Sequence, residues 1–524
     1  MLETGVAEDG STPASDRSGF LLDRLLYKGV LPRYAFPTDV VSFHVFDPDN
    51  STRLRDAYRY APSQGLAVAL TQYAPGKVVW IDKNEWTSGA LYAPVRAELS
   101  DAWRNRKLYF ACRDCGFARV EEFDRERRGA VEDCPACLGT QFGPAMTWMR
   151  PPGFAHRVDK DPVTSPDDEP VRSYATRAKL FAPGPSDDSR WKSISDGISQ
   201  TYQRAELLVT NAGPDEKGYS YCTRCGIIEP TAIETPTLSG SHPKPYPDSK
   251  EQTCLGGGTT RHLALGTDFI SDVLLIRVTV ALPVTLQPSF LATKVALRTV
   301  AEALVIAATR KLEIEPTELQ AEYRPALTPH GSNGLQAEIY LYDTLPGGAG
   351  FTHRVNELGR GIYEEALELL ENCPVNCDES CYRCLRSFRN RFEHSELDRH
   401  VGASLLRYLL DGTLPQLAPE RLERSATKLF EYLDRAGVEG VTFTRNTTVS
   451  VPEVGEVVAP ILARRGSQEW IIGIHDPLTL GVAPTPELAA ALDRGSAPNV
   501  VLCDDLVISR NLPKAMQMVL DDLR

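Results

Sequence analysis

Nothing in the chain is apolar for long. No run approaches the about 20 residues that a bilayer span requires. The best candidate, FISDVLLIRVTVALPVTL (269–286), is broken by Ser271, Asp272, Arg277 and Pro283 and reads as buried strands. The opening MLETGVAEDGSTPASDRSG lacks the basic and apolar regions of a secretory leader and reads as a mildly acidic, disordered tail. A cytoplasmic chain without membrane contact is therefore expected. Disulfides then have no oxidising compartment, so cysteine pairs are read first as metal ligands. Basic charge is also in deficit, with 57 Lys and Arg against 70 Asp and Glu and a net charge of −13. A globally basic nucleic-acid binder is excluded, and only local basic faces remain. Catalytic signatures are missing too. No G-x-x-x-x-G-K-[ST] occurs, so ATP hydrolysis through a P-loop is not expected; APGKVV (74–79) keeps only the last Gly-Lys. Neither G-x-S-x-G nor H-E-x-x-H is present, and the chain is expected not to be an enzyme.

What is there is a large globular chain. At 524 residues it exceeds what one core organises. The expected fold is α+β and multidomain: a mixed α/β core carrying three zinc-binding modules, one of them a zinc ribbon, and a small C-terminal α/β domain. Six blocks are expected: the tail (1–18), an N-terminal α/β module (19–105), the ribbon (106–145), a strand-rich segment with a second metal site (146–265), an α/β core with a four-cysteine cluster (266–412), and the C-terminal domain (413–524). A short amphipathic helix begins at residue 20. TDVVSFHVF and KVVWID read as strands, GLAVALTQY as a helix, and RAKLF as a short strand inside a long loop. SFLATKVALRTVAEALVIAATRKL (289–312) is apolar nearly all round, which predicts a buried helix. After a Pro/Leu linker, the last domain reads helix, two or three strands, helix, strand, helix. Restriction-endonuclease-like folds share that order, but QEWIIGIHD offers no acidic and Glu-x-Lys pair, which argues against a nuclease.

Eleven of the twelve cysteines fall in three groups, and Cys503 stands alone in an apolar strand. The first group, Cys112, Cys115, Cys134 and Cys137, is C-x2-C-x18-C-x2-C, with Gly116 and Pro135 suited to tight turns; two thiolate pairs across a hairpin make a zinc ribbon. The second holds Cys222, Cys225 and Cys254 and needs a fourth ligand. His242, in the flexible loop SHPKPYP, is preferred over His262. The third, CPVNCDESCYRC, places Cys373, Cys377, Cys381 and Cys384 on one helical face, yet a straight helix would spread them over about 16 Å. The chain must turn, as Pro374 and Asn376-Cys377-Asp378 permit, if one ion is to hold all four. Cys377-x3-Cys381-x2-Cys384 is also an iron–sulfur spacing. The fourth thiolate, Cys373, favours a closed zinc site and leaves an iron–sulfur cluster as the rival. About three Zn2+ per chain are expected.

Two further features bear on function. LPGGAG (345–350) lies between a strand and a helix, where it serves either as a phosphate cradle or as a sharp structural turn; Asp343 ahead of it reads as a capping residue. RCLRSFRNRF carries Arg383, Arg386, Arg389 and Arg391 with no acid among them, and Phe388 and Phe392 interleaved. A helix would bring Arg383, Arg386 and Arg389 towards one face, suited to phosphate oxygens, with aromatics to stack on unpaired bases. The plainer reading is a solvated helix with both phenylalanines in the core. WRNRK (103–107) is a smaller basic patch.

Together, LLYKGVLPRYAFP, QYAPGKVVWID, YSYCTRCG, LGTDFISDVLLI, LYDTLPGGAGF and CPVNCDESCYRCLRSFRN resemble the C-terminal region of a family of large helicases. That family includes the MrfA-type repair helicases and, more closely, the DrmB proteins of bacterial DISARM phage defence. The resemblance runs from residue 20 to residue 410 and is most specific between Leu341 and Asn390. It implies helicase-associated modules at 19–105 and 266–412, zinc at Cys373, Cys377, Cys381 and Cys384, and a non-catalytic subunit. The implied partners are DNA and a DrmA-type helicase bearing the motor.

Overall fold

The computed structural model describes residues 39–52, 55–161, 173–231, 238–248, 251–327, 333–483, 485–494 and 499–523. The acidic tail and the helix expected from residue 20 lie outside them. The chain forms two compact units, each assembled from separated segments: one from residues up to 106, 148–176 and 209–267, the other from 107–147, 177–208 and 268–524. The chain therefore passes between the units after residues 106, 147, 176, 208 and 267.

The first unit contains a sheet in which Val40–Phe46 pairs parallel with Phe154–His156 and antiparallel with Tyr58–Tyr60 and Ser63–Gly65. Asn84–Leu91 flanks Phe154–His156, and Val78–Ile81 closes the edge. The strand VVSFHVF buries Val41 and the run Phe43–Phe46, and the short helix Leu66–Gln72 buries Leu66, Ala69 and Leu70. A second group of short strands, Tyr219–Cys222, Ile228–Pro230, His242–Pro243 and Thr253–Cys254, builds the surroundings of the second cysteine group.

In the second unit, Gln336–Asp343 pairs antiparallel with the C-terminal half of Thr259–Thr279 and with Leu319–Pro325. The helix Leu291–Leu312 packs on this sheet with the helices Arg360–Glu371 and Arg399–Asp411, and sixteen of its residues are buried. The expectation from its apolar circumference holds. The hairpin Lys107–Ala111 and Ala118–Glu122 carries the ribbon. Past residue 418 come the helix Pro419–Ala436, an antiparallel meander of Thr442–Val451, Gly455–Arg465 and Gln468–His475, the helix Pro486–Arg494, the parallel strand Asn499–Asp504 and the helices Asp505–Arg510 and Leu512–Asp522. The expected order is present, with one additional short helix. Cys503 is buried in the last strand.

One expected element is absent. Residues 381–390 form turns, and a 3-10 helix follows at Arg391–Glu396, where an arginine-bearing α-helix was expected. No helix among the described residues is long and apolar enough to cross a membrane.

Candidate metal centres

Each cysteine group is built on a turn that the backbone closes before any ion is considered. In the ribbon, Gly116 N–H donates to Cys112 O at 3.0 Å and Cys112 N–H to Phe117 O at 2.8 Å. Across the site, Leu138 N–H donates to Cys134 O and Cys134 N–H to Gly139 O, both at 2.8 Å. Gly116 adopts φ +72°, a conformation costly for other residues, which explains the glycine after the pair. The turns bring Cys112 and Cys137 to 3.6 Å and Cys115 and Cys134 to 3.7 Å between sulfurs. A disulfide requires about 2.05 Å. A tetrahedral ion with bonds of about 2.3 Å holds its sulfurs about 3.8 Å apart. Four sulfurs this close cannot all ionise by themselves: mutual hydrogen bonding pulls Cys112 down and pushes Cys115 up from the ordinary thiol range. A divalent cation at the centre relieves that conflict.

The second group repeats the turn, with Gly226 N–H on Cys222 O and Cys222 N–H on Ile227 O, both at 2.9 Å. Pairing His242 with Cys254 on two short strands delivers two further donors. Cys222 and Cys254 sulfurs are 3.9 Å apart, and His242 Nε2 is 3.2 Å from Cys225 Sγ. His242 Nδ1 lies 2.8 Å from Gly240 O. A carbonyl only accepts, so Nδ1 carries the proton and Nε2 presents its lone pair to the sulfurs, the arrangement of a ligating histidine. Gly256 is needed here, because a Cβ would sit 2.4 Å from that same Gly240 oxygen. His262 is exposed, donates from Nδ1 to Lys217 O at 2.8 Å and takes no part in the group.

The third group turns as its spacing demanded. The helix Arg360–Glu371 ends before Cys373, and Asn376 adopts φ +44°. Sulfur separations are 3.6 Å for Cys373–Cys377 and 3.7 Å for Cys373–Cys381, Cys377–Cys384 and Cys381–Cys384. Backbone N–H groups point at the sulfurs, from Cys381 to Cys384 Sγ at 3.2 Å and from Arg383 to Cys381 Sγ at 3.3 Å. Burial opposes ionisation of Cys373, yet the amides around it, foremost that of Cys377, bring its thiol down to about 6. Sequence reasoning missed Arg399. Its buried guanidinium donates to the carbonyls of Leu370, Glu371 and Cys377 and to Asn376 Oδ1, at 2.7–3.1 Å, stapling the loop to the helix that precedes it. In all three groups the four donor atoms lie within 4.8 Å of one another, and soft, closed donor sets of this kind suit zinc.

The four arginines after the cluster do not share one face. Arg386 donates to Ser380 Oγ at 2.9 Å and Arg389 to the Pro316 carbonyl. Arg383 is exposed, and Arg391 lies 4.2 Å from the Phe388 ring and 4.4 Å from the Phe392 ring. Those residues are 74% and 57% exposed, so the alternative that places both in the core does not hold. Tyr382 is exposed beside them, edge-on to His394 at 5.5 Å. The smaller patch WRNRK is largely consumed internally: Arg104 pairs with Asp101, Arg106 stacks on Trp103 and Lys107 pairs with Asp268. The glycine-rich turn is structural. Asp343 Oδ atoms accept from the amides of Ala349, Phe351 and Thr352 at 2.7–3.0 Å, and Asp272 accepts from Gly350 at 3.2 Å. Carboxylates occupy the donors a phosphate would need.

Residues 300–385, which include all four cysteines of the third group, match the MrfA Zn-binding domain. The chain is 30% identical over 525 aligned positions to Druantia protein DruE of Escherichia coli (strain UMEA 4076-1), covering 96% of this chain and 27% of that protein. It also aligns with crystal structures of the DUF1998 helicase MrfA. With DNA bound, the TM-score is 0.33 at 11% identity, covering 74% of this chain and 38% of that one; for MrfA alone it is 0.27 at 12%, covering 72% and 40%. The chain thus spans about a quarter of the length of the curated relative it matches, and its third cysteine group lies within the residues that match the MrfA Zn-binding domain.

Proposed function

We propose that this chain is a zinc-stapled, non-catalytic module of a bacterial phage-defence protein of the cytoplasm. It binds single-stranded DNA beside an ATP-dependent helicase motor, in the DISARM setting a DrmA-type partner to a DrmB-type subunit. The defence setting rests on the similarity to DruE. Zinc is supported at all three groups by closed sets of four soft donors. At the third, sulfurs only 3.6–3.7 Å apart suit one ion better than an iron–sulfur cluster, whose thiolates stand off several iron and sulfide atoms.

The observation that carries DNA binding is the exposed stack of Phe388, Arg391 and Phe392. Aromatic rings left in water are platforms for unpaired bases, and guanidiniums between them serve neighbouring phosphates. Arg383 and Arg391 are the phosphate contacts; Arg386 and Arg389 position the loop. Stacking contributes about 1–3 kcal/mol per base, so F388A/F392A should weaken binding of a fluorescent single-stranded oligonucleotide at least tenfold. Charge reversal at Arg383 and Arg391 should flatten the salt dependence of binding. Unchanged affinity in both variants would favour a protein–protein scaffold instead. Emission spectrometry should find zinc and no iron; iron with visible absorbance would transfer the third group to iron–sulfur chemistry. Adding the chain to its helicase should alter DNA-stimulated ATP hydrolysis, and no change would count against the partnership.

A further inference from the structure

A cleft of about 240 Å3 opens beside the ribbon's first turn. Its walls bring Arg113, Lys179 and the start of the helix Leu291–Leu312 together. That helix starts without the usual compensation. Phe290 holds the N-cap position with no side-chain hydrogen bond, and no acidic residue occupies the first turn. The positive end of a 22-residue helix is left without a counter-charge of its own. Thr293 and Lys294 fill that turn and line the cleft.

Two buried groups at this place lack partners. The Thr293 hydroxyl is 98% buried by residue exposure and makes no hydrogen bond among the described residues. Arg298, one turn further, gives Nη2 to Glu322 at 2.7 Å, but its Nε and Nη1 make none. Glu396 and Glu393 stand off at 3.8 and 3.9 Å. An unsatisfied buried donor costs about 1–3 kcal/mol. Lys294 meets no carboxylate among the described residues, while Lys179 is held by Gly116 O at 2.6 Å. Asp114, Glu322 and Glu396 also line the cleft, so it is not purely basic; Arg113, Lys179, Lys294, Arg298 and Arg324 outnumber them.

We infer that this cleft binds the phosphate group of a nucleotide. An anion with several acceptor oxygens satisfies the orphan donors, the cations and the helix end together. Pro288 and Tyr323, partly exposed on the remaining wall, offer apolar surface that a bare phosphate ion would leave uncovered and a sugar or base would use. A free mononucleotide and the 5′-terminal nucleotide of a DNA strand share this chemistry.

The test is calorimetric titration of the full chain with inorganic phosphate, a deoxynucleoside 5′-monophosphate, and oligonucleotides with and without a 5′-phosphate. The mononucleotide should bind more tightly than phosphate. Lys294→Glu should weaken it roughly tenfold or more, and Thr293→Val by a few-fold. Lys294→Glu should leave the affinity for the oligonucleotide without a 5′-phosphate unchanged, which keeps this site separate from the proposed DNA-binding face. A preference for the 5′-phosphorylated oligonucleotide that Lys294→Glu abolishes identifies a strand end as the source; equal binding of the two oligonucleotides identifies a free nucleotide. Absence of heat with millimolar phosphate and mononucleotide overturns the inference. So does unchanged affinity in both helix variants, provided their zinc content and circular dichroism match wild type.

Discussion

Single residues decide whether a cysteine loop becomes a metal site, and Arg399 is the clearest case. The carbonyls it holds belong to the last turn of one helix and to the loop bearing Cys377. Removing the guanidinium strands buried acceptors and frees the loop, at a cost of about 3 kcal/mol or more. Arg399→Ala should lower the melting temperature and speed zinc loss from the third group to a chelator. Arg399→Lys should rescue little, since an ammonium cannot reproduce the planar fork. Retention of zinc at the wild-type rate in the alanine variant would show that the loop is held some other way. The ligands themselves were legible in the sequence because spacing alone announces them. Even His242 could be chosen over His262 from its place in a proline-rich loop. Arg399 was not, because nothing in SELDRHVG distinguishes an arginine that serves carbonyls 22–29 residues upstream.

At the scale of elements, periodicity succeeded where burial drives structure and failed where sulfur does. The helix Leu291–Leu312 was evident from its apolar circumference. The arginine spacing after Cys384 suggested another helix, but Cys381 captures that backbone. Its carbonyl accepts from Cys384, Leu385 and Arg386, and its sulfur from Arg383. The C-terminal meander was likewise legible, though its charge economy was not. Asp476 follows the strand Gln468–His475 and is buried; burial first, and the nearby Asp505 and Asp504, raise its carboxyl from 3.8 to about 7, against the opposing Leu478 amide and Arg421. Between those values the folded protein binds more protons than the unfolded chain, so stability falls as pH rises from about 4 to about 7 and stays low above. The ceiling on this loss is about 4 kcal/mol at 1.36 kcal/mol per unit. Asp476→Asn keeps an oxygen for the Leu478 amide, bonded at 2.9 Å. It should remove most of the decline and leave the variant more stable than wild type at pH 8 in urea titrations. An unaltered pH profile would assign the decline to other groups.

For the whole molecule, strands such as Ile198–Asn211 and Thr259–Thr279 begin in one unit and end in the other. Local patterns cannot report which partner a strand finds. The three metal groups should nevertheless be unequal in a way the cores foretell. Cys373 and Cys384 belong to the main hydrophobic cluster of the second unit, among residues of the helices Leu291–Leu312, Arg360–Glu371 and Arg399–Asp411. Cys112 and Cys134 belong to a separate small cluster with Leu108, Phe110, Phe117 and Phe142. Metal binding is folding free energy where a loop cannot close alone. On the proposed zinc occupancy, C112S/C115S should therefore lose one zinc equivalent and the ribbon's protection from hydrogen exchange, with the main unfolding transition displaced little. C373S/C377S should also lose one zinc, but lower that transition steeply, because the ion clamps a loop onto three core helices. Equal shifts from the two double variants, or three zinc ions retained in either, would mean that the metals do not divide the labour as the cores do.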